Sequence, residues 1–397
     1  MKIYRLYQSL MRFAACVFRW REPRKMSGEG ALNALKDMLA TREEDHIFIV
    51  SDTHVLDLAP VGRFIEDLSD RKTITIFDKV EEDPDRKTIE AGVDLYREQG
   101  ADMLIAIGGG SVIDTAKALG TRITRPSKPL HRMQGVWKVK KKLPFLIAVP
   151  TTAGTGSEVS ITAVVKDREE NRKYTINDHA LIPDIAVLDP ALTKTLPPHM
   201  VAFSGMDALT HAVEARISRS GTKGTDQHAE RAVKGVFRYL ERAYSDNDAA
   251  AREGMLEASY QAGLAFRRAY VGNVHALAHA VGAFYEVPHG KANAVFLPLV
   301  LRYYGELVSE ELALLADTVG LPVEGLDEKK KADAFIEAIK GLNRRLGIPK
   351  ALELPAFDPA PLAEHAFKEA NPFYPVPRIF SREDFVTLFM RGVSKTG

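Results

Sequence analysis

A single cysteine, Cys16, stands in a chain of 397 residues, so no disulfide can close within it. Stability must come from a buried core, the chain fits a reducing compartment, and no thiolate set exists for a structural zinc site. Neither sign of charge is in excess: 54 Lys and Arg meet 53 Asp and Glu, a formal net charge of +1 at pH 7. That balance argues against a nucleic-acid binder and excludes an acidic disordered chain. Long hydrophobic runs are also missing. In residues 1–21 the longest is the six-residue stretch from Phe13 to Phe18. A membrane span needs about 20 apolar residues and a signal-peptide core about 7–15. No other segment approaches a span, and no internal repeat or low-complexity tract stands out.

What is present is ordinary for a globular protein, with 45% apolar and 27% charged residues. The length suits two or three domains at about 100–200 residues each. Residues 1–21 hold no acid, and Leu6, Leu10, Phe13 and Val17 recur at helical spacing. This segment is expected to be an amphipathic helix docked by that stripe on the body or on a partner subunit, with a peripheral membrane foot or a transit peptide as alternatives. Residues 22–190 alternate apolar runs with helical patterns. The strand candidates are His46–Ser51, Thr73–Phe77, Met103–Gly108 and Phe145–Pro150, followed by Ile161–Val165 and Ile185–Leu188. Runs with so little polar alternation suit strands buried on both faces of a parallel sheet. The helical stretches between them imply βαβ units and a doubly wound α/β domain. From about residue 191 to 397 the chain reads as almost wholly helical, giving a second, all-α domain.

Four segments carry chemistry. In Ile107–Ala118 (IGGGSVIDTAKA) an apolar strand runs through three glycines into a helix, a site for pyrophosphate at a helix N-terminus. The competing reading is a plain strand–helix turn in which Ser111 and Asp114 form a capping box. Pro150–Ser160 (PTTAGTGSEVS) sets Thr151, Thr152, Thr155 and Ser157 beside two glycines after another strand, suited to phosphate, ribose or carboxamide; a self-satisfied hydroxyl-rich turn is the alternative. Asp52 follows the first strand, where a carboxylate can bind an adenosine ribose hydroxyl and repel a 2′-phosphate, or can simply cap a turn. The strongest signal is GMDALTHAVEA (205–215) with VHALAHAVGAFYEVPHG (274–290). Asp207 and His211 are four apart on one helix, as are His275 and His279 on another, and His289 follows Pro288. Nitrogen and oxygen donors without sulfur suit Zn, Fe, Mn or Ni without choosing among them.

Together these motifs resemble the iron-containing (group III) alcohol dehydrogenase family over roughly residues 23–395. The resemblance implies a dinucleotide-binding N-terminal domain, a helical C-terminal domain, an active site in the cleft between them, and a homodimer or larger homo-oligomer. It implies Asp207, His211, His275 and His289 as metal ligands and His279 as a histidine near the nicotinamide. Gly109, Gly110 and Ser111, with Asp114, match the pyrophosphate loop, and Thr151, Thr152 and Thr155 the second cofactor loop. Lys173 matches a ribose-binding lysine, Asp52 the acidic residue of NAD-preferring members, and Phe266 falls near the substrate pocket. The expected cofactors are NAD and Fe²⁺, with Zn²⁺ as an alternative. The expected reaction interconverts a primary alcohol and its aldehyde; a polyol or hydroxy-acid dehydrogenase and a lyase or cyclase of the dehydroquinate-synthase type are the alternatives. The partner is a small molecule, with no nucleic acid and no membrane, and the location cytoplasmic. The sequence departs from the family at residues 1–21, at Asp83 where Asn is common, at Arg267-Arg268, and at Ala280 where Pro is common.

Overall fold

The computed structural model describes residues 2–17, 20–81, 84–169, 172–246 and 248–395; Asp83 lies outside them. The chain divides into two units, Trp20–Leu196 and a second that joins Met1–Arg19 to Pro197–Gly397. Helix α1 (Lys2–Val17) thus belongs with the C-terminal half.

The first unit contains strands β1 (Arg24–Ser27), β2 (His46–Val50), β3 (Thr73–Phe77) and β4 (Met103–Gly108), then β5 (Gly135–Val136), β6 (Phe145–Pro150), β7 (Thr162–Asp167), β8 (Arg172–Asn177) and β9 (Ile185–Leu188). Its helices are α2 (Ala31–Leu39), α3 (Thr53–Leu56), α4 (Ala59–Ser69), α5 (Arg86–Gln99) and α6 (Gly110–Thr124). Six strands form a parallel sheet in the order β1-β9-β6-β4-β2-β3. The near-continuous apolar runs are explained by what covers each face. Ile47, Ile49, Met103, Ile105, Ile147 and Val149 pack with Leu32 and Leu35 of α2 and Phe64 and Leu68 of α4. The alternate residues Phe48, Val50, Leu104, Ala106, Leu146 and Ala148 pack with Ile89 and Val93 of α5 and Ile113 and Leu119 of α6. Helices therefore cover both faces, and a strand with two buried faces has no polar side to show. β7 and β8 pair antiparallel, with β5 parallel to β8, in a separate three-stranded sheet.

The second unit is built from α7 (Pro198–Arg216), α8 (Lys223–Ser245), α9 (Ala249–Ala269), α10 (Asn273–Phe284) and α11 (His289–Tyr304). It continues with α12 (Ser309–Thr318), α13 (Glu328–Arg345), α14 (Pro359–Ala370) and α15 (Arg382–Gly392), and the short strands β10 (Leu352–Leu354) and β11 (Val393–Lys395) pair beside them. α7 opens on Pro198, where a missing N–H costs nothing. From Gly205 to Ala215 every residue of α7 is buried, Asp207, Thr210, His211 and Glu214 included. Polar groups buried on a helix with no solvent face need partners or a ligand.

α1 does dock on its own chain, but not through the expected stripe. Arg5 donates to the carbonyls of Val376 and Pro377 at 2.7 and 2.8 Å, and the Gln8 amide to that of Tyr374 at 2.8 Å. Tyr4 and Tyr7 meet Phe367 and Phe373 edge-on. Leu6, Leu10 and Phe13, with Ile3, turn outward and are 61–73% exposed; the Val17 side chain lies outside the described set. The polar side of the helix finds carbonyls that need donors, and this decides which face docks. Among the described residues no helix is long and apolar enough to cross a membrane.

Candidate metal centre and cofactor loops

In the α/β unit, the first two loops meet. α6 starts at Gly110 with Gly109 as its N-cap and no side-chain cap, so the Ser111–Asp114 capping box does not form. Without a side-chain cap among the described residues, the first N–H groups of the helix are open to an anion. A Cβ on Gly110 would lie 2.7 Å from the Thr155 methyl, and one on Gly109 3.6 Å from Thr152. Glycine is needed there because the second loop lies against the first. Thr151 N–H donates to the Gly108 carbonyl, fixing the second loop to the end of β4. Asp114 is buried and accepts from the Val164 N–H of β7 at 3.0 Å, which ties β7 to α6. Asp52 caps α3, its carboxylate accepting from the Val55 N–H at 3.0 Å. Lys173 is exposed on β8, opposite Lys166 of β7.

Two residues of these loops escaped the sequence reading. Lys117 of α6 is fully buried and donates to the Ser160 and Thr162 carbonyls and the Ser160 hydroxyl at 2.9–3.0 Å, clasping the end of the second loop. Burial pulls its amine down to about 8, against the pull of Asp114 and Glu158. Glu158 is 1% exposed, and its Oε1 has no hydrogen-bond partner among the described residues. Burial pushes its carboxyl up to about 7, only partly offset by a backbone hydrogen bond and Lys117. Between its ordinary 4.5 and about 7 the native state therefore binds more protons than the unfolded chain, and stability falls as pH rises through that window. Glu158→Gln should match wild type in melting temperature at pH 5 and exceed it by several degrees at pH 8 (~2–4 °C per kcal/mol for a large domain). A melting difference equal at both pH values would mean that the buried charge is not the cause.

In the helical unit, α7, α10 and α11 bring the histidine motifs together. Asp207, His275 and His289 offer ligand atoms that all lie within 4.8 Å of one another. Asp207 Oδ1 is 3.4 Å from His289 Nε2, 3.6 Å from His275 Nε2 and 3.8 Å from His211 Nδ1. The His211 ring stacks on Phe266 at 4.2 Å between centroids and leans on His275 at 4.4 Å. Three of the four expected ligands thus converge tightly, and the fourth adjoins them.

The cause lies in helical spacing. Asp207, His211 and Glu214 fall at i, i+4 and i+7 on α7, one face of one helix. The Glu214 carboxylate accepts from His275 Nδ1 at 2.6 Å and from the Gly272 and Val274 N–H groups at 2.7 Å each. It pins the start of α10 and leaves His275 Nε2 turned to Asp207. The Asn293 amide, one turn after His289, donates to Asp207 Oδ1 at 2.8 Å and lies 3.0 and 3.3 Å from His289 and His275 Nε2. Neither Glu214 nor Asn293 was singled out from the sequence, although i+7 from Asp207 and i+4 from His289 were there to be read.

The donor set fits a divalent cation. Burial would push the Asp207 carboxyl up, but the surrounding His211, His289 and His275 hold it well below its ordinary range, so it stays ionised. Burial likewise opposes protonation of His275, yet Asp207 and Glu214 lift it to about 9, so a cation ligated by Nε2 would displace a proton from it. The oxygen–nitrogen separations of 3.4–3.8 Å suit ligands that share one ion at ~2.0–2.2 Å each. His279, one turn after His275, stacks on His289 at 4.9 Å. Its Nδ1 faces Glu369 Oε1 at 2.5 Å.

The iron-containing alcohol dehydrogenase family model matches residues 23–190, and that of the Fe-containing alcohol dehydrogenase C-terminal region matches 201–393. Lactaldehyde reductase of Escherichia coli is 36% identical over 328 residues, covering 82% of this chain and 85% of that protein. Aldehyde-alcohol dehydrogenase of Streptococcus pneumoniae is 36% identical over 356 residues, 83% of this chain; the chain spans 40% of that longer protein. Among solved structures, a 1,3-propanediol oxidoreductase superposes with a TM-score of 0.90 at 32% identity, covering 95% of this chain and all of that one.

Proposed function

The chain belongs to the iron-containing alcohol dehydrogenase family, and we propose that it moves a hydride between NAD(H) and a small primary alcohol or its aldehyde, with a resident Fe²⁺. The convergence of His275 and His289 on the buried, ionised Asp207 carboxylate carries this reading. Held by Asp207, His211, His275 and His289, a divalent cation would supply Lewis acidity toward the substrate oxygen. The protein's own share is binding, orientation and proton handling. The bare N-terminus of α6 and the hydroxyls of Thr151, Thr152 and Thr155 would receive the cofactor's phosphates and polar groups. His279 lies beside the donor cluster and would pass the alcohol proton toward solvent; its ring is 39% exposed. Phe266, against His211, would form an apolar wall for a short substrate. We read the working form as a cytoplasmic homodimer or larger assembly with no nucleic-acid or membrane partner; the family resemblance supports the assembly, the balanced charge the lack of a nucleic-acid partner, and the single cysteine a reducing compartment. A lyase or cyclase of the same architecture is disfavoured by the dehydrogenase relatives.

Formation of NADH at 340 nm over a panel of primary alcohols, with metal analysis of anaerobically purified protein, tests the proposal. Steady NADH formation that needs Fe²⁺ is expected; stoichiometric zinc with full activity would remove the iron assignment, and no turnover of any alcohol would remove the dehydrogenase. Asp52 bears on the nucleotide. Its carboxylate sits at the end of β2, where a 2′-phosphate would meet like charge, so wild type should prefer NAD. Asp52→Gly should shift kcat/KM toward NADP by about tenfold or more, the scale of one ~1.4 kcal/mol interaction. Preference for NADP in the wild type would refute the role.

A further inference from the structure

The geometry points to Glu369 as a positioning residue that fixes the tautomer and ring orientation of His279; the inference rests on the reading of His279 as the proton-passing group. Glu369 lies near the end of α14, ninety residues from His279 in sequence. Its Oε1 takes the His279 Nδ1 contact at 2.5 Å and also accepts from the Tyr374 hydroxyl at 2.6 Å. Its Oε2 lies 3.9 Å from His365 Nδ1. An ionised carboxylate only accepts, so Nδ1 of His279 must carry a hydrogen. In the neutral ring that leaves Nε2, on the opposite edge, as the lone-pair nitrogen able to receive a proton.

The acceptor is itself held. Burial would push the Glu369 carboxyl up, but His279 and the hydrogen bonds from His279 and Tyr374 keep it below its ordinary value. Burial and Glu369 hold the Tyr374 phenol well above 10, so it stays a donor. The segment carrying Tyr374 is tied to α1, with Gln8 on the Tyr374 carbonyl and Arg5 on those of Val376 and Pro377. The N-terminal helix, the main departure from the family pattern, thus braces the loop that braces Glu369.

Long-range ¹H–¹⁵N spectra of histidine-labelled full-length protein, with His279→Ala used for assignment, read the tautomer without turnover. Wild type should show His279 protonated at Nδ1. Glu369→Ala should move it to the Nε2–H form or to an exchanging mixture, while Glu369→Gln, which keeps an acceptor oxygen, should largely restore the Nδ1–H signature. In the metal-loaded enzyme, Glu369→Ala should keep its metal and its KM for alcohol within about twofold, and lose at least tenfold in kcat, with Glu369→Gln recovering part of it. An unchanged tautomer in Glu369→Ala, or loss of bound metal in both variants, would overturn the inference. If the tautomer switches while His279→Ala keeps full kcat, the orientation by Glu369 stands and the proton-passing reading of His279 falls.

Discussion

His275→Ala is expected to leave the enzyme without its metal and without activity in a single step. His275 is 1% exposed and stands between two buried carboxylates. Nδ1 is committed to Glu214 at 2.6 Å, and Nε2 faces Asp207 at 3.6 Å. Removing the ring deletes a ligand and also strands two negative charges in a site that water barely reaches. Breaking one side of a buried charge pair commonly costs about 3–5 kcal/mol, most of it from the group left behind. The remaining donors, Asp207, His289 and His211, lose the second helix that fixes the ligand geometry. Metal content should fall to background and kcat below about 1% of wild type. His279→Ala is the matched control: same helix, one turn later, but its nitrogen is engaged by Glu369. It should keep nearly all its metal and lose about 10²-fold in kcat, as befits a proton-transfer group. Elemental analysis beside steady-state kinetics separates the two. The reverse pattern would exchange the two roles.

The sequence made the parallel sheet legible because burial on both faces leaves an unbroken apolar run, as in MLIAIG of β4. It made the Asp–His and His–His pairs legible because a helix puts i and i+4 on one face. It hid what depends on distant chain. Glu369 lies ninety residues from His279, and no local pattern links them. β8 reads as polar because Lys173 and Thr175 face outward, although Tyr174 and Ile176 between and beyond them pack into the same core as Phe48 and Leu104 of the main sheet. The bounds of α11 are hard to read because Pro288 and Pro298 look like breaks, although Pro288 only precedes the helix and Pro298 lies inside it. For α1, periodicity found an apolar stripe, but the hydrogen bonds of Arg5 and Gln8 set which face docks.

Gly290→Ala, a single methyl next to a ligand, should also empty the site. Gly290 is the second residue of α11, directly after His289. A Cβ there would lie 2.1 Å from the Phe203 carbonyl oxygen and 2.6 Å from its carbon. These are backbone atoms of α7, so no side chain can swing away and one helix must move. α7 carries Asp207 one turn beyond Phe203, and α11 carries His289 and Asn293, so separating the two helices pulls apart the donors that now converge within 4.8 Å. Overpacking of this kind costs about 1–3 kcal/mol and more where backbone must shift. Melting should drop by several degrees, and most of the bound metal should be lost, with kcat falling in proportion to occupancy. Gly282→Ala provides the contrast on the neighbouring α10. A Cβ at Gly282 meets nothing within 4 Å, and alanine is about 1 kcal/mol better than glycine inside a helix. That variant should melt at or above wild type with full metal. If Gly290→Ala instead kept its metal and its melting temperature, the close approach of α11 to α7 would not be what seats His289.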